Sequence, residues 1–285
     1  MLRKYSVDPD KRKGQSFLVD HAIARDIVEM AELSSEDSVL EVGGGLGILT
    51  HWIAETGCKV NVIEIEPGLC RALNDTFEEQ DNVAVIEGDA LTVDLPDVDK
   101  VISNLPYNIS SEITFRLLHE LSFQVAVLMY QKEFAERLVA QPGTSHYSRL
   151  TVNATYLASV EPVMDVPATC FYPKPSVDSR VVRMYHRKAG PFAKDYRVFQ
   201  WLVRGIYSYP NKQARKALGF WLRTLSLDKS MVEVIIRKTS SVKGNERLRT
   251  LTLSDVISLA DSAFEMIEDG LLPDPRGESH EDGSV

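Results

Sequence analysis

Ser38-Val39-Leu40-Glu41-Val42-Gly43-Gly44-Gly45-Leu46-Gly47-Ile48 is the stretch on which the reading of this chain turns. The apolar run over 38–42 reads as a short strand, the glycines as a tight turn, and 48–55 as the helix leaving that turn. Glycine lets the backbone turn sharply and approach a ligand, because no Cβ stands in the way. Downstream, 59–64 reads as a second strand and 67–78 as a second helix, with Pro67 suited to a first helical turn. A third strand over 83–87 ends at Gly88-Asp89-Ala90, and a fourth over 100–103 runs into Asn104. A helix around 112–121, a strand over 124–130 and a helix over 132–140 follow. Upstream, Ile23, Ile27, Val28 and Met30 repeat at helical spacing until Ser34-Ser35-Glu36-Asp37 breaks the pattern. Residues 151–160 and 180–186 read as two further strands, which makes seven. Strands and helices alternating in this way predict an α/β fold with a doubly wound, mainly parallel sheet.

Ligands of such sheets bind beyond the carboxyl ends of the strands. The glycine loop, Glu64, Asp89 and Asn104 all stand at such ends, so they are expected to share one site. The loop is G-x-G-x-G through Gly43, Gly45 and Gly47. The dinucleotide fingerprint G-x-G-x-x-G would place its third glycine where Ile48 stands. Glu64, at the end of the second strand, is placed to accept hydrogen bonds from ribose hydroxyls. These features leave NAD and S-adenosylmethionine both open. Asp89 is a candidate acceptor for a cofactor adenine amine, although Gly-Asp-Ala after a strand is by itself an ordinary turn.

Asn104-Leu105-Pro106-Tyr107 adds a second kind of chemistry. The Asn carbonyl and neighbouring backbone carbonyls can accept both hydrogens of an exocyclic amine, Tyr107 can stack on a flat base, and Pro106 fixes the local backbone. Such an amine is a poor nucleophile until acceptors stabilise its developing positive charge.

At 285 residues, with 44% hydrophobic and 26% charged content, the chain has the composition of a globular protein with more than one core. Cys58, Cys70 and Cys170 are too scattered for a zinc cluster or a disulfide framework, which fits a reducing cytosol. Histidines 21, 51, 119, 146, 186 and 280 show no ligand spacing, so no metal site is expected. No apolar signal core and no run of about 20 apolar residues is present, and a cytoplasmic protein is expected. The net charge of −9 is segregated. Residues 1–14 carry five Lys/Arg against two Asp, 197–249 twelve against three acids, and 252–285 one against nine. The two basic regions would meet a polyanion, although solvated helix faces explain such charge equally well.

Gly14-Gln15-Ser16-Phe17-Leu18, the loop at 41–47, Glu64-Ile65-Glu66, Gly88-Asp89-Ala90, Asn104-Leu105-Pro106-Tyr107-Asn108-Ile109-Ser110, Gln131-Lys132-Glu133 and Phe171-Tyr172-Pro173-Lys174-Pro175-Ser176-Val177-Asp178-Ser179 occur in that order. Together they resemble the KsgA family of small-subunit ribosomal RNA adenine dimethyltransferases, in an archaeal type. The resemblance covers about 11–187 and continues more weakly through 212–218 and 247–251. It implies a class I, Rossmann-like methyltransferase with a seven-stranded sheet and a small helical C-terminal domain. It also implies S-adenosyl-L-methionine as cofactor and dimethylation of two adjacent adenosines near the 3′ end of the small-subunit rRNA. On matching positions, Gln15, Ser16, Leu18, Gly43, Gly45, Glu64, Ile65, Asp89, Ala90 and Asn104 would bind the cofactor. Ser16 stands where the family commonly has Asn. Asn104, Leu105 and Pro106 would hold the target amine, with Tyr107 and Phe171 stacked on the adenine.

The expected organisation is a basic arm over 1–14, the methyltransferase domain over 15–188, a helical RNA-binding domain over 189–272 and an acidic tail over 273–285. Lys11, Arg12 and Lys13 in the arm, and Lys212, Arg215 and Lys216 at a helix start, are the candidate phosphate contacts. The expected partner is small-subunit rRNA within an assembling subunit, bound by a monomer with no membrane involvement. Three alternatives are methylation of large-subunit rRNA, a ribosome-assembly factor whose methylation is secondary, and an NAD oxidoreductase. The last is opposed by Ile48 and by the lack of a plausible hydride-transfer acid.

Overall fold

A computed structural model of the chain describes Lys4, Tyr5, Val7 and residues 16–239 and 241–277. Lys11, Arg12, Lys13, Gln15 and the end of the acidic tail lie outside the described residues. The elements in chain order are β1 Phe17–Leu18, α1 His21–Glu29, β2 Ser38–Val42, α2 Ile48–Ala54, β3 Lys59–Glu64, α3 Pro67–Thr76, β4 Val83–Glu87 and β5 Lys100–Asn104. Then come α4 Ser110–Glu120, β6 Val125–Gln131, α5 Lys132–Leu138, α6 Arg149–Leu157, β7 Ala158–Val166, β8 Phe171–Tyr172 and β9 Ser179–His186. Four helices close the chain: α7 Tyr196–Ile206, α8 Ala214–Thr224, α9 Met231–Lys238 and α10 Leu253–Glu268. Among the described residues no helix is long and apolar enough to cross a membrane.

Two compact units emerge: Met1–Glu136 with Ala158–His186, and Arg137–Leu157 with Arg187–Val285. Residues 137–157, placed with the N-terminal part on sequence, pack with the C-terminal unit.

The first unit carries the seven-stranded sheet in the order β4-β3-β2-β5-β6-β9-β7. Neighbours from β4 to β6 pair in parallel, while β9 is antiparallel to both β6 and β7. The sheet is thus the seven-stranded, mainly parallel one expected. Val39, Leu40 and Val42 of β2 are buried because helices cover both faces of a parallel sheet, and Glu41 between them is buried as well. The order reverses between β2 and β5, where doubly wound sheets open a crevice. The register Val42↔Ile63 and Glu64↔Glu87 brings the carboxyl ends of β2, β3 and β4 level beside that crevice.

One expected strand is corrected. Over 151–160, Arg149–Leu157 is helix α6 and the strand begins only at Ala158. The β-branched Thr151 and Val152 suggest a strand, but the Thr151 hydroxyl accepts from the Ser148 N–H at 3.1 Å and donates to the Arg137 carbonyl at 2.7 Å. That use of a polar side chain closes the first turn of a helix and outweighs β propensity.

The second unit buries one apolar cluster, into which α7 sends Val198, Phe199, Leu202, Val203 and Ile206. α7 starts where the Asp195 side chain accepts from the Val198 N–H, and α10 where Thr252 and Asp255 form a capping box. The Phe199 ring is fully buried and stacks on Tyr156 at 4.1 Å. Phe199→Ala is expected to cost about 3–5 kcal/mol through lost burial and the cavity left behind. A urea-midpoint comparison with wild type checks this, and a change under about 1 kcal/mol would mean that the site collapses on itself.

Candidate active site

Gly43, Gly45 and Gly47 have φ of +78°, +56° and +79°, a region that residues with a Cβ adopt rarely. Gly47 caps the N-terminus of α2, which is why the third glycine precedes Ile48 instead of replacing it. Space is also short. A Cβ on Gly43 would stand 3.3 Å from the Pro106 ring, and one on Gly45 3.0 Å from the Phe17 ring. The glycine loop and Asn104-Leu105-Pro106-Tyr107, the expected amine clamp, are therefore in direct apposition.

Glu64 is 5% exposed at the end of β3. Its Oε2 accepts from the Gly45 N–H at 3.0 Å and its Oε1 from the Glu66 N–H at 2.9 Å. Burial raises the pKa of this carboxyl and the backbone donors pull it back. A carboxylate has about four lone-pair sites, so acceptor capacity remains for two hydroxyls.

Glu41 lies deeper, 1% exposed, and accepts from the Thr50 hydroxyl at 2.6 Å. Burial pushes its pKa to about 8; the Thr50 bond opposes the shift and the Glu64 charge adds to it. The native state thus holds this proton more tightly than the unfolded chain, whose carboxyl titrates near 4.5. Stability from this group is fully present below the unfolded value and falls as pH rises towards about 8. Wild type is therefore expected to lose urea resistance between pH 5 and 8 more steeply than Glu41→Gln, by a few kcal/mol in order of magnitude. Parallel profiles for the two proteins would contradict the protonated, buried Glu41.

Beyond these strand ends opens a cavity of about 380 Å³, within the range of small-molecule sites. Ser16, Gly43, Gly45, Glu64, Ile65, Asp89, Ala90, Asn104, Leu105, Pro106 and Tyr107 line it together, from five separate stretches of sequence. Asp89 Oδ1 accepts from the Leu91 N–H at 2.9 Å, which fixes the carboxylate at the cavity wall. Ile65 is 60% exposed there, an apolar side chain that a planar ligand would cover. Leu18 is buried and lines a smaller recess beside Glu41.

The clamp is partly pre-set. Asn104 Nδ2 donates to the Ser16 carbonyl at 3.4 Å, so its amide oxygen faces away from that bond. Asn104 Oδ1 is buried and has no hydrogen-bond partner among the described residues. A buried acceptor without a donor is costly and marks a place where a ligand donor fits. The Pro106 carbonyl, expected to help hold an amine, already accepts from the Ile109 N–H and the Ser110 hydroxyl, both at 3.2 Å. Of the carbonyls expected to hold an amine, that of Pro106 is therefore already engaged. The Tyr107 hydroxyl shares a 2.8 Å bond with Ser179, which is fully buried at the start of β9. Burial raises the phenol pKa, so Tyr107 stays neutral and held in place.

Other expected residues stand elsewhere. Phe171 is 4% exposed, pairs with Leu18, packs in the core and does not line the cavity, whereas its neighbour Tyr172 is 57% exposed. Lys212 and Lys216 are exposed, but the Arg215 guanidinium is engaged by Glu233 and by the Lys243 carbonyl. Phe17, Leu69, Asn108 and Ile109 also line the cavity. Phe17 lay inside a quoted motif, while Leu69 gives no signal beyond the apolar spacing of α3.

Comparison with known proteins bears on this site. The family described as ribosomal RNA adenine dimethylase matches residues 9–259. A probable ribosomal RNA small subunit methyltransferase A from Methanosarcina mazei is 41% identical over 271 residues, covering 93% of this chain and 97% of the relative. The crystal structure of a dimethyladenosine transferase from Plasmodium falciparum superposes with a TM-score of 0.76 at 29% identity, covering 90% of this chain and 99% of that one. That of the 23S rRNA methyltransferase ErmE reaches 0.64 at 27% identity, covering 86% of this chain and 98% of that one. With the match spanning both compact units, the chain belongs to the ribosomal RNA adenine dimethylase family.

Proposed function

We propose that this enzyme converts two adjacent adenosines near the 3′ end of small-subunit rRNA to N6,N6-dimethyladenosine during subunit assembly. The observation that carries the reading is the buried Asn104 Oδ1, without a partner among the described residues, on a residue that lines a cavity framed by the glycine loop. Gly43 and Gly45 would lie against the methionine part of the cofactor, Glu64 against its ribose, and Asp89, Ala90 and Ile65 against its adenine. When bound, S-adenosyl-L-methionine supplies an electrophilic methyl group on a sulfonium that leaves as a neutral thioether.

The protein's own contribution is placement and polarisation. Asn104 Oδ1 and the Leu105 carbonyl accept the two N6 hydrogens of a base held against Tyr107. These contacts stabilise the positive charge that grows on nitrogen as the N–C bond forms, and the displaced proton then becomes acidic and leaves to solvent. A base inside a duplex cannot reach such a pocket, so the adenosine enters single-stranded or flipped. Lys212 and Lys216, both exposed, are proposed to meet the phosphate backbone.

Small-subunit rRNA is favoured as substrate because the 41%-identical relative carries that name, while the 23S methyltransferase is 27% identical. The test is transfer from labelled S-adenosyl-L-methionine to under-methylated small subunits and, in parallel, to large subunits. Label in small-subunit rRNA supports the proposal, and label confined to large-subunit rRNA overturns it.

A further inference from the structure

The loop after β4, which carries Asp89 and Ala90, is held from one side by a single side chain on α4. Arg116 Nη1 donates to the Ala90 carbonyl at 2.5 Å and Nη2 to the Val93 carbonyl at 2.8 Å. Glu120 orients the guanidinium by accepting from Nε at 2.9 Å and from Nη2 at 3.0 Å. The Arg116 side chain is 14% exposed, so its bonds to the two carbonyls are partly shielded from water, whereas Glu120 is 47% exposed. The Gly88 N–H also ties the start of the loop to the Glu64 carbonyl at 2.9 Å, and further bonds close the loop on itself. Thr92 and Val93 N–H groups donate to the Asp89 carbonyl, and the Leu91 N–H donates to its side chain. A Cβ on Gly88 would stand 2.4 Å from Val93 Cγ1, so the loop lies flat against its own strand end.

α4 begins at Ser110, three residues after Tyr107 closes the clamp. The same helix therefore follows the residues that grip the target amine and pins the loop at the far end of the cavity. We propose that Arg116 is a positioning residue: it fixes the height of Asp89 and Ala90 above the cavity and so ties cofactor recognition to the clamp helix. Arg116 touches neither substrate nor cofactor; it acts through two backbone carbonyls. Lysine would not replace it well, because a point charge cannot span both carbonyls as a planar fork does. The inference rests on the reading of the cavity as the S-adenosyl-L-methionine site.

The test uses calorimetric binding of S-adenosylhomocysteine to the full chain in wild type, Arg116→Ala, Asp89→Ala and the double variant. Arg116→Ala is expected to weaken binding about tenfold, the scale of losing charge-assisted bonds that hold a loop. The double variant is expected to bind within about twofold of Asp89→Ala alone, because residues acting through one another are not additive. In steady state, the KM for S-adenosyl-L-methionine rises while kcat at saturating cofactor stays within about twofold, a split that a general loss of structure would not give. Glu120→Ala, which removes only the exposed orienting carboxylate, serves if Arg116→Ala fails to fold, with a weaker loss that is likewise non-additive with Asp89→Ala. Additive losses, or a fall in kcat at unchanged KM, overturn the positioning role. Absence of binding by wild type would instead overturn the cofactor site on which it rests.

Discussion

Asn104→Ala is expected to slow methyl transfer about 10²–10³-fold, the scale of losing one preorganised polar group from a charge-developing centre. Asn104 Oδ1 has no partner among the described residues and Nδ2 holds the Ser16 carbonyl, so the side chain is fixed with its acceptor idle. Alanine removes that acceptor and leaves the glycine loop and Glu64 in place. Single-turnover rates, with substrate subunits and cofactor both saturating, isolate the step. The loss should be far larger in that rate than in affinity for S-adenosylhomocysteine. A variant that transfers methyl groups within about tenfold of wild type would mean that backbone carbonyls alone polarise the amine.

Glu64→Gln is expected to weaken cofactor binding by about a hundredfold, since each hydrogen bond to a charged group contributes about 1.5–3 kcal/mol. In wild type both carboxylate oxygens accept from backbone N–H groups, of Gly45 and Glu66, and both can accept again from ribose hydroxyls. Glutamine keeps the size but turns one oxygen into an NH₂ that must face one of those N–H donors. The conflict disturbs the glycine loop as well as the hydroxyl contacts. Calorimetry with S-adenosylhomocysteine reads the loss directly. Affinity within about threefold of wild type would show that the ribose is not held at Glu64.

The sheet is legible in the sequence because most of its strands are apolar runs bounded by Gly, Pro or acidic breaks, and because the glycine loop marks the turn from the first of them into a helix. The strand-end residues Glu64, Asp89 and Asn104 follow from that reading with no further information. What stayed hidden depends on pairings across long stretches of chain. Whether Phe171 or Tyr172 faces inward is set by the two-residue pairing of β1 with β8, and a one-residue shift would exchange them. Tyr107 is locked by Ser179, 72 residues away. Arg215 sits in a basic run on paper, yet its guanidinium is drawn to Glu233, 18 residues on, in a helix that the charge pattern does not place beside it. α6 was missed for the complementary reason: Thr151 has the shape of a strand residue, but its hydroxyl closes a helical turn. Local pattern fixed the elements, and tertiary pairing decided which side chains remained available for chemistry.

The most direct measurement maps the product. Small subunits lacking the modification are incubated with S-adenosyl-L-methionine and either wild type or Asn104→Ala. The rRNA is then cut with a nuclease and the fragments are weighed by mass spectrometry. Two adjacent N6,N6-dimethyladenosines in a single fragment near the 3′ end, formed by wild type and nearly absent with Asn104→Ala, are the predicted result. Monomethyladenosine as the end product, dimethyladenosine scattered along the rRNA, or equal modification by both proteins would contradict a clamp that holds and polarises two neighbouring adenosines in turn.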